Sequence, residues 1–127
     1  MQLQKRLEKG FEKLQDMGLL LFCKLNIETR FSKGAVKYIK KQPCDYIVIT
    51  RENTWGIDAK ECSAKVWYPK KAPAHQRDYL RWMQDNRKKG AFVVWFKKYN
   101  CMRVITDFAS PAKPDSGIAF DWELFLL

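Results

Sequence analysis

The chain has 127 residues, 46% of them hydrophobic and 30% charged, with 24 Lys+Arg against 14 Asp+Glu for a net charge of +10. These figures point to one domain, residues 1–127, large enough to bury its own core, and they exclude a disordered segment. A small domain this basic is expected to meet a polyanion such as DNA, RNA or an anionic membrane surface.

The longest apolar run, Gly18 to Phe22, is too short to span a bilayer, so no membrane partner of that kind is expected. The first residues, MQLQKRLEKG, mix charges and lack the apolar stretch of a secretory signal. Cys23, Cys44, Cys62 and Cys101 form no C-x-x-C pair and His75 is the sole histidine, so a structural zinc site is not expected. Scattered thiols suit a reducing cytoplasm.

In chain order, Leu3, Leu7, Phe11 and Leu14 make one apolar stripe, which predicts a helix over 2–17 stopped by Gly18. Leu19 to Leu25 reads as a strand or a buried connection. Residues 26–43 are cation-rich and weakly periodic, an irregular and mobile segment expected to touch DNA through Arg30, Lys33 and Lys37. Next comes a hairpin: Asp45 to Thr50, a turn at Arg51-Glu52-Asn53, and a return strand from Thr54 to Glu61. Residues 63–73, SAKVWYPKKAP, form a basic aromatic loop. Ala74 to Lys89 reads as a second helix ended by Gly90. Strands are expected at Ala91 to Lys97 and Met102 to Phe108, around a turn at Tyr99-Asn100. The apolar extension 109–127 is expected to dock on the core or on a second subunit. The order α-β-β-α-β-β describes a mixed α/β fold, a central mixed sheet flanked by helices.

The chemistry concentrates in the hairpin. Strand alternation puts Asp58 and Lys60 on one side and Ile57 and Ala59 on the other. The partner strand can bring Asp45 to the side of Asp58. Two carboxylates suit a hard cation such as Mg²⁺, with Mn²⁺ as a substitute, and substrate phosphate completes its shell. A lysine beside them can position water or steady charge on an attacked phosphate. The bland alternative is an exposed cross-strand charge pair. Glu12, beside Phe11, is expected to lean toward the metal; the alternative is compensation by Lys5, Lys9 and Lys13. Gln76 opens the second helix as a cap or as a group facing the scissile phosphate, and His75 beside it is a candidate general base. In KVWYPKK, Trp67 and Tyr68 are either core plugs or stacking platforms, among the phosphate-binding candidates Lys65, Lys70, Lys71 and Arg77.

These residues resemble a known group. CDYIVI, GIDAKEC, a basic loop, AHQRDYL and AFVVWF follow one another as in the PD-(D/E)-x-K nuclease superfamily, and they are most similar to Holliday junction resolvases of the RecU and archaeal Hjc type, phage-encoded ones included. Phe11-Glu12, Asp45-Tyr46, Asp58-Ala59-Lys60 and His75-Gln76 stand at the places of the four motifs. The resemblance implies a restriction-endonuclease-like core and a homodimer whose subunits use Mg²⁺ to cut opposed strands of a four-way DNA junction. It assigns metal binding to Asp45, Asp58 and Glu12, water activation or charge stabilisation to Lys60, and an accessory role to Gln76. This chain departs in having Asp58 where RecU-type enzymes usually carry Glu, and in a shorter segment between Glu12 and Asp45. A nuclease with another DNA target, and a binding module without catalysis, are the alternative readings.

Overall fold

The computed structural model describes residues 2–25, 30–32, 35–37 and 42–126, without the side chains of 30–32 and 35–37. Helix α1 (Gln2–Asp16) buries Leu3, Leu7 and Phe11, the expected stripe. Gly18, at φ 75°, lets Leu19 N–H turn back to Leu14 O at 3.0 Å and close the helix. Strand β1 (Leu21–Lys24) follows, then a backbone hairpin of β2 (Arg30–Ser32) and β3 (Ala35–Lys37) within the segment expected to be irregular. Strands β4 (Tyr46–Ile49) and β5 (Thr54–Cys62) pair antiparallel with Tyr46 opposite Ile57. Their turn is closed by Thr50 N–H to Asn53 O at 2.8 Å.

Helix α2 (Ala74–Asp85) returns the chain to β6 (Lys89–Phe96), which runs parallel to β5. A parallel pair needs such a crossover. The helix ends before the expected Lys89: Lys88 N–H reaches Met83 O at 2.8 Å, with Arg87 at φ 63°. Gly90 therefore lies inside β6, and its role is close packing. A Cβ there would collide with the Leu80 carbonyl oxygen. Strands β7 (Cys101–Ile105) and β8 (Ile118–Ala119) complete a six-stranded mixed sheet ordered β1-β4-β5-β6-β7-β8.

Two cores result, one per face. Leu3, Leu7 and Phe11 cover Tyr46, Val48, Ile57, Ala59 and Val93 on one face. Leu80 and the loop residue Trp67 cover Cys62, Phe92, Val94 and Phe96 on the other. The C-terminal segment docks on the chain's own core: Phe125 is fully buried, with its ring 4.8 Å from Trp55 and 5.4 Å from Phe11. No helix among the described residues is long and apolar enough to cross a membrane.

Candidate active site at the β4–β5 hairpin

The burial of Ile57 and Ala59 against α1 sends Asp58 and Lys60 to the α2 face. Tyr46 and Val48 also point to α1, so Asp45 and Ile47 share the α2 face. The two acids and the lysine are thereby on one side of the sheet.

Each is held differently. Asp45 Oδ2 accepts the Ala59 N–H at 2.8 Å, and Asp45 Oδ1 accepts from Gln42 Nε2 at 3.2 Å. Asp58 is 1% exposed, and its Oδ1 is buried without a hydrogen-bond partner. Lys60 Nζ lies 2.9 Å from Asp58 Oδ2, an ion-pair contact. The same ammonium donates to Gln76 Oε1 on α2 at 2.8 Å. Burial pushes the Asp58 carboxyl up to about 7, the charge of Asp45 adds to this, and Lys60 pulls it back only in part.

A buried carboxylate oxygen without a partner, beside a second carboxylate, fits a hard divalent cation, which takes oxygen ligands and retains water. Among the described residues no three His, Cys, Asp or Glu side chains gather into a metal site, so the carboxylates here are a pair. Beside Asp45 a cleft of about 240 Å³ opens between Gln4, Lys24, Gln42 and Tyr46. A larger cavity, about 540 Å³, lies at the other end of β5 beside Trp55 and Lys89, and no carboxylate lines it.

The structure does not bring Glu12 to this pair. Glu12 is exposed, whereas Glu8 accepts the Tyr46 hydroxyl at 2.8 Å and pairs with Lys24 at 3.0 Å. Both acids lie on one flank of α1, but Glu12 is roughly 6 Å further along the axis, past the ends of β1 and β4 that flank the site. Glu8 and Gln42 were not among the residues the sequence singled out. The antiparallel pairing of Lys24 with Tyr46 is the relationship that places Glu8 here.

The flanking cations divide. Lys70 and Lys71 each hold an ammonium 5.6 Å from the centroid of the exposed Tyr68 ring. Trp67 instead is buried on Phe92, with ring centroids 5.1 Å apart. Arg77 Nε donates to Ala72 O at 3.2 Å and ties the loop to α2. His75 is half-buried on the first turn of α2. Lys65 stands apart, in a groove with Tyr99 and Lys113. Arg30 and Lys37 are backbone partners in the β2–β3 hairpin, their side chains lie outside the described residues, and Lys33 lies outside them altogether.

A mixed α/β sheet bearing paired acids and a lysine on a hairpin is an arrangement suited to metal-assisted phosphodiester hydrolysis. Residues 1–108 match the family model described as RecU, Recombination protein U, and the chain belongs to that family, a family of Holliday junction resolvases. Its members are nucleases that hydrolyse phosphodiester bonds. Among solved structures, Hjc from Archaeoglobus fulgidus, a Holliday junction resolvase from an archaeal hyperthermophile, is similar over 78% of this chain and 73% of its own, with 11% identity and a TM-score of 0.48. The sequence matches no curated protein.

Proposed function

We propose that Asp45, Asp58 and Lys60 are the cleavage site of a cytoplasmic, homodimeric, Mg²⁺-dependent resolvase that nicks opposed strands of a four-way DNA junction. The observation that carries this reading is the buried, unpartnered Asp58 Oδ1 next to Asp45, with Lys60 held between Asp58 and Gln76. Two carboxylates on the hairpin would hold the cation, and phosphate and water would fill its remaining positions. The bound ion supplies Lewis-acid polarisation of the scissile phosphate.

The chain's own groups do the rest. Lys60 is an ammonium donor with its position fixed from two sides, so it meets charge growing on the attacked phosphate without first reorganising. Gln76 is a positioning residue in this scheme, because its carbonyl orients Lys60. Glu8, through Tyr46, fixes the strand that carries Asp45. Glu12 has no part in the metal shell of this reading, since it is exposed away from the pair. Lys70 and Lys71 around Tyr68, with Arg77, are the phosphate-contacting residues of this reading; Lys65, set apart from them, and Arg30, Lys33 and Lys37, whose side chains lie outside the described residues, are further candidates for phosphate contact.

The test is a cleavage assay with Mg²⁺ on a labelled four-way junction beside linear duplex of the same sequence, with Asp45→Ala and Lys60→Ala as controls. Paired symmetric nicks in the junction, absent in both variants, are expected. Equal cutting of linear DNA would replace the junction with another DNA target. Tight junction binding with no cutting would reduce the acids and the lysine to structure.

A further inference from the structure

The larger cavity, about 540 Å³, lies at the end of the sheet where β5 and β6 begin. Trp55 lines it from β5 and belongs to the core on the α1 face. Asp58 is three residues on, an odd step, so the cleavage acids lie on the other face and about 10 Å further along the strand. Leu124 and Ile118 add apolar wall, and Ile118 is 42% exposed. Lys89 is the register partner of Trp55, so its side chain leaves the sheet on the same side, and Lys88 lines the cavity next to it. Neither lysine is in an ion pair among the described residues, and no carboxylate among them lines the cavity. Gln84 Nε2 donates to Gly90 O at 2.8 Å and to Thr106 O at 2.9 Å, which spends both amide hydrogens and holds the end of α2 against β6 and the end of β7. The Trp55 indole N–H is buried and has no acceptor. A buried donor left open costs stability, so one on a residue that lines a cavity calls for a partner.

We propose that this cavity receives an apolar side chain from an acidic peptide segment of a partner protein. The charged groups that line it are both cations, and the open group of Trp55 is a donor, so the missing chemistry is an anion or another acceptor. The walls of Trp55, Ile118 and Leu124 take apolar contact in addition. The volume is within the range of ligand sites, but the rim is open: Lys88, Lys89 and Thr106 are exposed, whereas a site for a free small molecule encloses most of its ligand. An open rim suits a side chain whose backbone stays outside. The buried part of the contact is then one apolar anchor, and neighbouring carboxylates face the two ammoniums. DNA brings phosphates to lysines but keeps its bases stacked, so it would leave the apolar wall uncovered. The inference does not depend on the cleavage reading, and a partner held here leaves the face of Asp45, Asp58 and Lys60 free.

The test is fluorescence anisotropy of the full chain with a fluorescein-labelled poly-aspartate peptide that carries a single phenylalanine, beside its twin with alanine in that place. The proteins are wild type, Lys88→Glu/Lys89→Glu, Ile118→Asn and, as a charge-matched control, Lys70→Glu/Lys71→Glu. All these side chains are exposed, and melting curves check that each variant folds. The wild type is expected to hold the phenylalanine peptide about 10-fold tighter than its twin. Ile118→Asn should erase that preference, and Lys88→Glu/Lys89→Glu should weaken the phenylalanine peptide by about 10-fold. The control should keep the preference and lose far less affinity. Equal affinity for the two peptides, or the same loss in both double variants, overturns the proposal and leaves bulk charge as the cause. Displacement of the peptide by 3-phenylpropionate at matched concentration also overturns it, because the cavity then serves a free organic anion. So does an equal loss of linear-duplex and peptide affinity in Lys88→Glu/Lys89→Glu, which assigns the two lysines to DNA.

Discussion

Lys60 donates a hydrogen bond to Gln76 at 2.8 Å, joining β5 to the first turn of α2 across the edge of the candidate site. Gln76 has no charge to offer a metal, and its carbonyl instead limits where the ammonium can go. Gln76→Ala should lower the cleavage rate about 10- to 100-fold, the usual range for groups that orient functional residues. Junction affinity should stay near wild type. Gel-shift titration beside single-turnover cleavage separates the two, and an unchanged rate would show that Asp58 alone orients Lys60.

Asp58 gives a pH dependence with a definite sign. Its carboxyl rises from 3.8 to about 7 on folding, chiefly through burial. Between those values the folded chain holds a proton that the unfolded chain has released, so this group makes stability fall as pH rises from about 4 to 7. Asp58→Asn removes the contribution. The metal-free variant should melt higher than wild type at pH 8, and the difference should vanish near pH 4. Added Mg²⁺ should raise the wild-type melting temperature at pH 8 and leave the variant unmoved. Parallel melting curves across this range would show that Asp58 titrates as an ordinary acid.

Much of this arrangement was legible in the sequence because strand alternation is rigid. Once Ile57 and Ala59 are taken as core, Asp58 and Lys60 have only one side to go to. The partner acid Asp45 followed from the hairpin. Helical acids are less determinate: Glu8 and Glu12 share a flank of α1, and only the height of the helix against β1 and β4 decides between them. That height depends on Phe11 packing among Phe22, Tyr46 and Phe125, contacts far apart in the chain. Gly90 was misread for a related reason. A glycine after a helix is usually a stop, but here Leu80 needs the space.

The basic surface should show in salt titrations. Lys70 and Lys71 flank Tyr68 and are free to meet phosphates. The log of the binding constant should fall steeply with log salt, and replacing both lysines by alanine should reduce the slope by about 2. Phosphate contacts position without specifying, so affinity for junction and linear duplex should drop together. A flat wild-type salt response would assign the charge to solubility alone.

The C-terminal segment should be part of the folding unit. Phe125 is fully buried against Trp55 and Phe11, and Trp122 covers the small side of Gly10. Phe125→Ala should cost about 3–5 kcal/mol in urea unfolding, as for other buried phenylalanines. A loss under about 1 kcal/mol would mean that the segment leaves the core readily.

Glu8 and Glu12 offer the sharpest internal comparison. The Tyr46 hydroxyl is bound at 2.8 Å by Glu8, and Tyr46 opens β4 directly after Asp45. Glu8→Ala leaves a buried hydroxyl and Lys24 without their acid, which should cost about 1–3 kcal/mol of stability. It should also slow cleavage, because Asp45 is carried by the same strand. Glu12→Ala removes an exposed side chain and should change stability by less than about 0.5 kcal/mol, with wild-type cleavage. Urea melts and single-turnover rates on both variants decide the matter. If Glu12→Ala abolished cleavage while Glu8→Ala spared it, α1 would have to shift by a full turn when metal and DNA bind, and the acid at the site would be Glu12 after all.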